Sequence, residues 1–161
     1  MVETDIKLTT GDLYDYNLRH AYTKISTLLA TVIGLAGIAI GLCWRQSYWL
    51  LMIIFGTLLV VYMPITLLVK SSQTIALNPA MKLAYHYVLD DTGITVSQGE
   101  NKETIEWDRI VKAVSTGRSI IVYTSAKGAS VFPRKQVGEA LPALIQTISS
   151  NLDPKKNKIK Q

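Results

Sequence analysis

Ile25–Trp44, ISTLLATVIGLAGIAIGLCW, and Ser47–Val69, SYWLLMIIFGTLLVVYMPITLLV, stand back to back with Arg45 and Gln46 alone between them. Neither stretch holds an Asp, Glu, Lys, Arg or His. As helices they would run roughly 30 and 35 Å, each enough for a bilayer core of about 30 Å. The reading is a transmembrane helical hairpin over 25–69, with spans at 25–44 and 47–69. A two-residue connection leaves no room for an outer domain. Uncharged spans lack the usual marker of a transport path or proton relay.

Outward from the hairpin, the flanks set its orientation. Arg19 and Lys24 precede the first span, Lys70 and Lys82 follow the second, and Arg45 alone sits at the tip. Positive-inside counting therefore puts both termini in the cytosol of a multi-pass cell-membrane protein. Trp44, Tyr48 and Trp49 cluster at the tip, where amphipathic rings favour the outer interface. Four acidic residues before the first span and the lack of a small-residue cleavage site argue for an uncut anchor rather than a signal peptide. Cys43 is the single cysteine, so no disulfide framework is expected. Leu42 before it is too large for a lipoprotein box. Pro64 should kink the second span.

Ala30, Gly34, Gly37 and Gly41 recur on one face of the first span. Small residues at that spacing let another helix backbone approach closely. They are candidate helix-packing positions, either against the second span or against a second copy in a homodimer.

Charge is uneven along the chain. Residues 1–24 hold three Lys/Arg against four Asp/Glu, whereas 70–161 hold thirteen against eight. A basic soluble part tethered by short links fits an anionic leaflet better than nucleic acid.

Residues 1–24 read as a short strand near Ile6–Thr9, then a helix over Leu13–Tyr22 with Thr10 as cap and Asp12 in its first turn. That helix suits either the inner interface or packing against protein. After the second span the apolar period becomes two. Leu83–Leu89, Ile94–Ser97, Glu103–Trp107, Ser119–Thr124 and Ala129–Phe132 read as strands separated by Asp, Gly and Asn turns. Ile110, Val111 and Val114 fit a helical turn or another strand. Leu141, Leu144, Ile145, Ile148 and Leu152 then return to helical spacing, with Pro142 in the first turn. The expected soluble fold over 70–153 is α+β: an antiparallel meander of about five strands capped by a C-terminal amphipathic helix, a pleckstrin-homology-like half-barrel. Residues 154–161 are expected to be a flexible basic tail.

Several residues are candidates for chemistry. Arg134 and Lys135 follow a strand and form adjacent cations fit for a lipid phosphate or a partner's acidic surface. Lys155, Lys156, Lys158 and Lys160 are candidate lipid contacts in the tail. Trp107 is expected in the core. His20 and His86 are too isolated for a metal site, and Glu103, Glu106 and Asp108 face solvent rather than each other. No phosphate-cradling glycine loop or nucleophile elbow is present. No catalytic, metal-binding or cofactor-binding residue is expected, and no small-molecule substrate is evident.

Tyr87-x5-Gly93-Ile94, Ile105-Glu106-Trp107-Asp108-x-Ile110, Ile120-Ile121-Val122-Tyr123 and Phe132-Pro133-Arg134-Lys135 follow the Asp/Tyr-rich segment Asp12–His20 and the two spans. This order resembles the YcxB-like family of small bacterial membrane proteins. The resemblance implies a pleckstrin-homology-like C-terminal domain and carries no established reaction. Together these features point to a non-catalytic regulator or scaffold that binds a protein partner or an anionic lipid. The competing reading is a membrane-resident immunity or stress protein acting through its hairpin.

Overall fold

The structure is a computed structural model that describes residues 1–44, 47–125 and 128–159. Arg45, Gln46 and Lys160, the tip and the last tail lysine of the sequence reading, lie outside the described residues. The chain forms two compact units: Met1–Asp15 with Thr74–Gln161, and Tyr16–Gln73. Residues 1–24 are therefore not a separate segment, because their first fifteen belong to the β-rich unit.

In that unit, β1 (Val2–Ile6), β2 (Tyr85–Leu89), β3 (Gly93–Gln98) and β4 (Asn101–Glu106) form one antiparallel sheet in that order. β5 (Lys112–Ser115), β6 (Ser119–Tyr123) and β7 (Ala129–Pro133) form a second, completed by β8 (Asn157–Lys158) in the order β7-β6-β5-β8. The fold is α+β. Turn chemistry sets the hairpins: Gly99 carries φ +60° at the first of two loop residues between β3 and β4, as a type II′ turn requires. Asp90 accepts from the Thr92 amide and hydroxyl and the Gly93 amide, closing the β2–β3 turn. These bonds to its charged form hold the Asp90 carboxyl below its usual pKa.

Apolar alternation points Val2, Ile6, Leu89, Ile94, Ile120, Val122 and Phe132 into one core shared by both sheets. The helix α5 of the C-terminal region (Leu141–Asn151) lays Leu144 and Ile148 onto that core, both fully buried. Trp107 is buried and donates its indole N–H to the Asp90 carbonyl at 2.9 Å.

Three expectations are corrected here, and one alternative left open is decided. The N-terminal strand is Val2–Ile6, not Ile6–Thr9, because Val2 and Ile6 are the residues with core to reach. The first helix, α1 (Thr10–Ala21), is capped by Thr9 rather than Thr10: the Asp12 amide donates to the Thr9 hydroxyl while the Thr9 hydroxyl and amide donate to the Asp12 carboxylate. Of Ile110, Val111 and Val114, read as a helical turn or a strand, Val114 lies in the strand Lys112–Ser115, while Ile110 ends a 3-10 turn over Trp107–Arg109. The tail after Pro154 is not free throughout: Asn157–Lys158 pairs parallel to β5, Ala113 N–H donates to the Lys156 carbonyl, and Ile159 packs on the core.

The second unit holds α2 (Ile25–Cys43) and all but the last four residues of α3 (Trp49–Leu77), both helices long and apolar enough to cross a membrane. α3 continues through Pro64 and runs eight residues past the apolar stretch. A Cβ placed on Gly34 would stand 2.8 Å from the Gly56 carbonyl, and one on Gly41 2.8 Å from the Trp49 carbonyl. Gly37 faces the same helix more loosely, 3.8 Å from the Gly56 Cα. The glycine face of α2 thus packs within the chain, on α3. Ser71 is fully buried and accepts from the Asn17 side chain at 2.9 Å.

Candidate functional site

The β6–β7 register assembles the site. Ser119 pairs with Pro133, so the next residues outward, Arg118 and Arg134, meet at the same end of the sheet. The Arg134 amide donates to the Arg118 carbonyl at 2.8 Å. Immediately after, the chain turns into α4 (Arg134–Val137), which brings Lys135 and Gln136 alongside.

The start of α1 supplies the opposite wall. Gln136 clips it in place: its amide nitrogen donates to the Lys7 carbonyl and its oxygen accepts from the Lys7 amide, both at 2.9 Å. Between these walls lies a cleft of about 440 Å³, lined by Thr9, Asp12, Arg118, Arg134 and Lys135 with Gly117, Pro133 and Gln136.

Three cations share this cleft with one carboxylate. Asp12 is 5 % exposed, and one of its oxygens is held by Thr9, which leaves the other facing Arg118 at 3.9 Å. That distance makes a loose pair, and the Arg118 side chain remains 63 % exposed. The Arg118 guanidinium rests against Gly11, where a Cβ would meet its terminal nitrogen at 2.7 Å. Arg134 donates its Nε to the Thr116 carbonyl at 3.3 Å, and its terminal nitrogens make no hydrogen bond or ion pair among the described residues. Lys135 is exposed and makes no ion pair or hydrogen bond among the described residues. The Thr116 hydroxyl donates to Asp15 at 2.6 Å and accepts from the Arg118 and Ser119 amides, which fixes the turn carrying Arg118. Guanidinium and ammonium donors clustered in this way can bond an oxyanion.

Of the residues singled out from sequence, Arg134 and Lys135 come together here. Lys155, Lys156 and Lys158 do not line the cleft: the Lys155 amide turns onto Asp153, Lys156 reaches the Asp108 carbonyl at 3.4 Å, and Lys158 lies in β8. Ala30, Gly34, Gly37 and Gly41 lie in α2, in the other unit. His86 bonds Asp5 at 2.7 Å, and His20 stacks on Tyr16. Arg118, Thr9 and Gln136 were missed. Arg118 had a signal: pairing SIIVY against ASVFP through the Thr124–Gly128 turn places it opposite Arg134.

Comparison with known proteins bears on this segment. No curated protein and no solved structure matches the chain. Residues 89–148 match the family described as YcxB-like protein. That match contains the cationic wall of the cleft, while Thr9 and Asp12 come from outside it. The chain therefore carries a YcxB-like segment over residues 89–148, the family to which its strand and turn motifs pointed.

Proposed function

We propose that this is an integral membrane protein whose YcxB-like domain is a non-catalytic, pleckstrin-homology-like module that binds phosphate-bearing anionic lipid. The single observation that carries the binding is the cleft in which Arg118, Arg134 and Lys135 face one already committed carboxylate. A headgroup phosphate supplies the missing charge and accepts bidentate bonds from guanidinium donors. The anchor rests on α2 and α3. Only 17 % and 6 % of their most apolar stretches are buried, far less than a soluble core helix needs. Leu50, Leu51, Phe55, Leu58 and Ile65 stand exposed along α3, a surface suited to lipid tails. Arg19, Lys24, Lys70 and Lys82 against Arg45 favour both termini in the cytosol. A domain tethered there reads the inner leaflet, as a regulator or scaffold would.

The test is capture of the full chain, reconstituted in phosphatidylcholine nanodiscs, by vesicles with and without phosphatidic acid. Arg134→Glu with Lys135→Glu should cut capture by roughly 10- to 100-fold, since each charge near an anionic surface is worth about 1 kcal/mol. Arg118→Glu should act alike. Unchanged capture in both variants would sink the site.

A further inference from the structure

The cation cleft does not end at Arg134. The same side chain lines a second hollow, of about 570 Å³, that runs along α5 past Leu141, Pro142 and Ile145 to Ser149 and Ser150. Leu144 and Ile148 hold the helix to the core, and Leu141 and Ile145, four residues apart, form a partly buried apolar ridge beside them that packs on the core and lines the hollow. No carboxylate lines this hollow, and Arg134 is its one cation among the described residues.

We infer that the two hollows form one amphiphile site: a phosphate held by Arg118, Arg134 and Lys135, and an acyl chain laid along α5 from Arg134 towards Ser149. Arg134 stands at the junction, where phosphate meets glycerol in a phospholipid with a small headgroup. A peptide is the poorer occupant. Its backbone needs a strand edge or a continuous row of partners, whereas this hollow sets Leu141, Pro142 and Ile145 beside the scattered side chains of Gln146, Ser149 and Ser150, and Ser149 already accepts from Asn157 at 3.0 Å. An acyl chain needs no hydrogen bonds and gains from every methylene it buries. The inference rests on the phosphate reading of the cleft and adds the second subsite.

The experiment uses the full chain in phosphatidylcholine nanodiscs doped with a phosphatidic acid that carries a diazirine midway along one acyl chain. Illumination should label the segment 141–150 as well as the apolar helices. Gln146→Trp fills the hollow from an exposed wall, and Ile145→Glu charges it; both should remove the 141–150 label. Neither should change binding of glycerol 3-phosphate, titrated separately on the same samples. Replacing Arg118 and Lys135 by Gln should weaken both readouts. Label confined to 25–77 while glycerol 3-phosphate still binds would overturn the acyl subsite and leave the phosphate cleft standing. Persistence of the 141–150 label in Gln146→Trp and Ile145→Glu would overturn it as well. Absence of glycerol 3-phosphate binding in the unmodified chain would overturn the cleft, and the inference with it.

Discussion

Tyr87 sits where the two sheets face each other, its ring edge-on to Phe132 with centroids 4.9 Å apart. Burial pushes its phenol up to about pKa 12, and the bond to Ser130 offsets only part of that rise. The unfolded chain releases this proton near pH 10, and the folded chain holds it for about two units longer. Stability from the group is thus fully present below pH 10 and lost as pH climbs towards 12. The loss approaches about 3 kcal/mol. Tyr87→Phe should cost about 1 kcal/mol at neutral pH, through the orphaned Ser130 hydroxyl. In exchange it should flatten the alkaline decline. Denaturant midpoints measured from pH 7 to 12 on both chains test this. Parallel profiles above pH 10 would refute the burial argument. The same scale exposes a limit of reading residues singly: Tyr87 was legible as part of a motif, but its depth depends on Phe132, a residue of the other sheet.

Between elements, contacts decide what patterns leave open. The glycines of α2 read as a hairpin seam or a dimer seam, because spacing shows a face and not its occupant. Gly56 on α3 meets that face within the chain: a Cβ there would stand 2.5 Å from the Gly34 carbonyl. The contacts also rank the glycines. Gly34→Ala and Gly56→Ala force backbones apart and should each cost about 1–3 kcal/mol. Gly37→Ala, whose nearest neighbour would be 3.5 Å away, should cost little. Unfolding the reconstituted chain with dodecyl sulfate, followed by helix circular dichroism, gives the comparison; three equal losses would contradict this packing. Strands show a similar division. Each of β2, β3, β4, β6 and β7 was visible from alternation and adjacent turns, because hairpins are local. β8 was not, since two residues pairing in parallel with β5 leave no periodicity. Arg118 was hidden for a related reason. It looked like turn filler until the hairpin register set it beside Arg134.

At the scale of the whole molecule, the apolar helices interrupt the β-rich unit rather than precede it. The chain leaves that unit after Asp15 and re-enters at Thr74, yet Val2 pairs with Leu89 and Ile6 with Tyr85. Alternation in a five-residue strand cannot announce a partner so distant in sequence, so the N-terminal segment read as a strand and helix apart from the soluble domain. Its contacts make it structural. Ile6 is fully buried and Val2 nearly so, Lys7 clips Gln136, and Thr9 with Asp12 closes the cleft. The energetic order follows: β2 to β4 and β5 to β7 pair through short loops, and β1 docks only after a long closure whose entropy must be met by those contacts. Deleting residues 1–9 removes two core side chains worth roughly 1.5–3 kcal/mol each, along with a whole edge of hydrogen bonds. The truncated chain in nanodiscs should lose amide protection throughout β2, whose outer edge it bares, while β6 retains most of its protection between β5 and β7. Phosphatidic acid vesicles should then be captured more weakly although Arg118, Arg134 and Lys135 are untouched, because Gln136 has lost its clip to Lys7 and the opposite wall has lost Thr9, which holds Asp12. Hydrogen exchange and vesicle capture on the same preparation measure both effects. Full β2 protection with full capture would show that the N-terminal segment is an appendage.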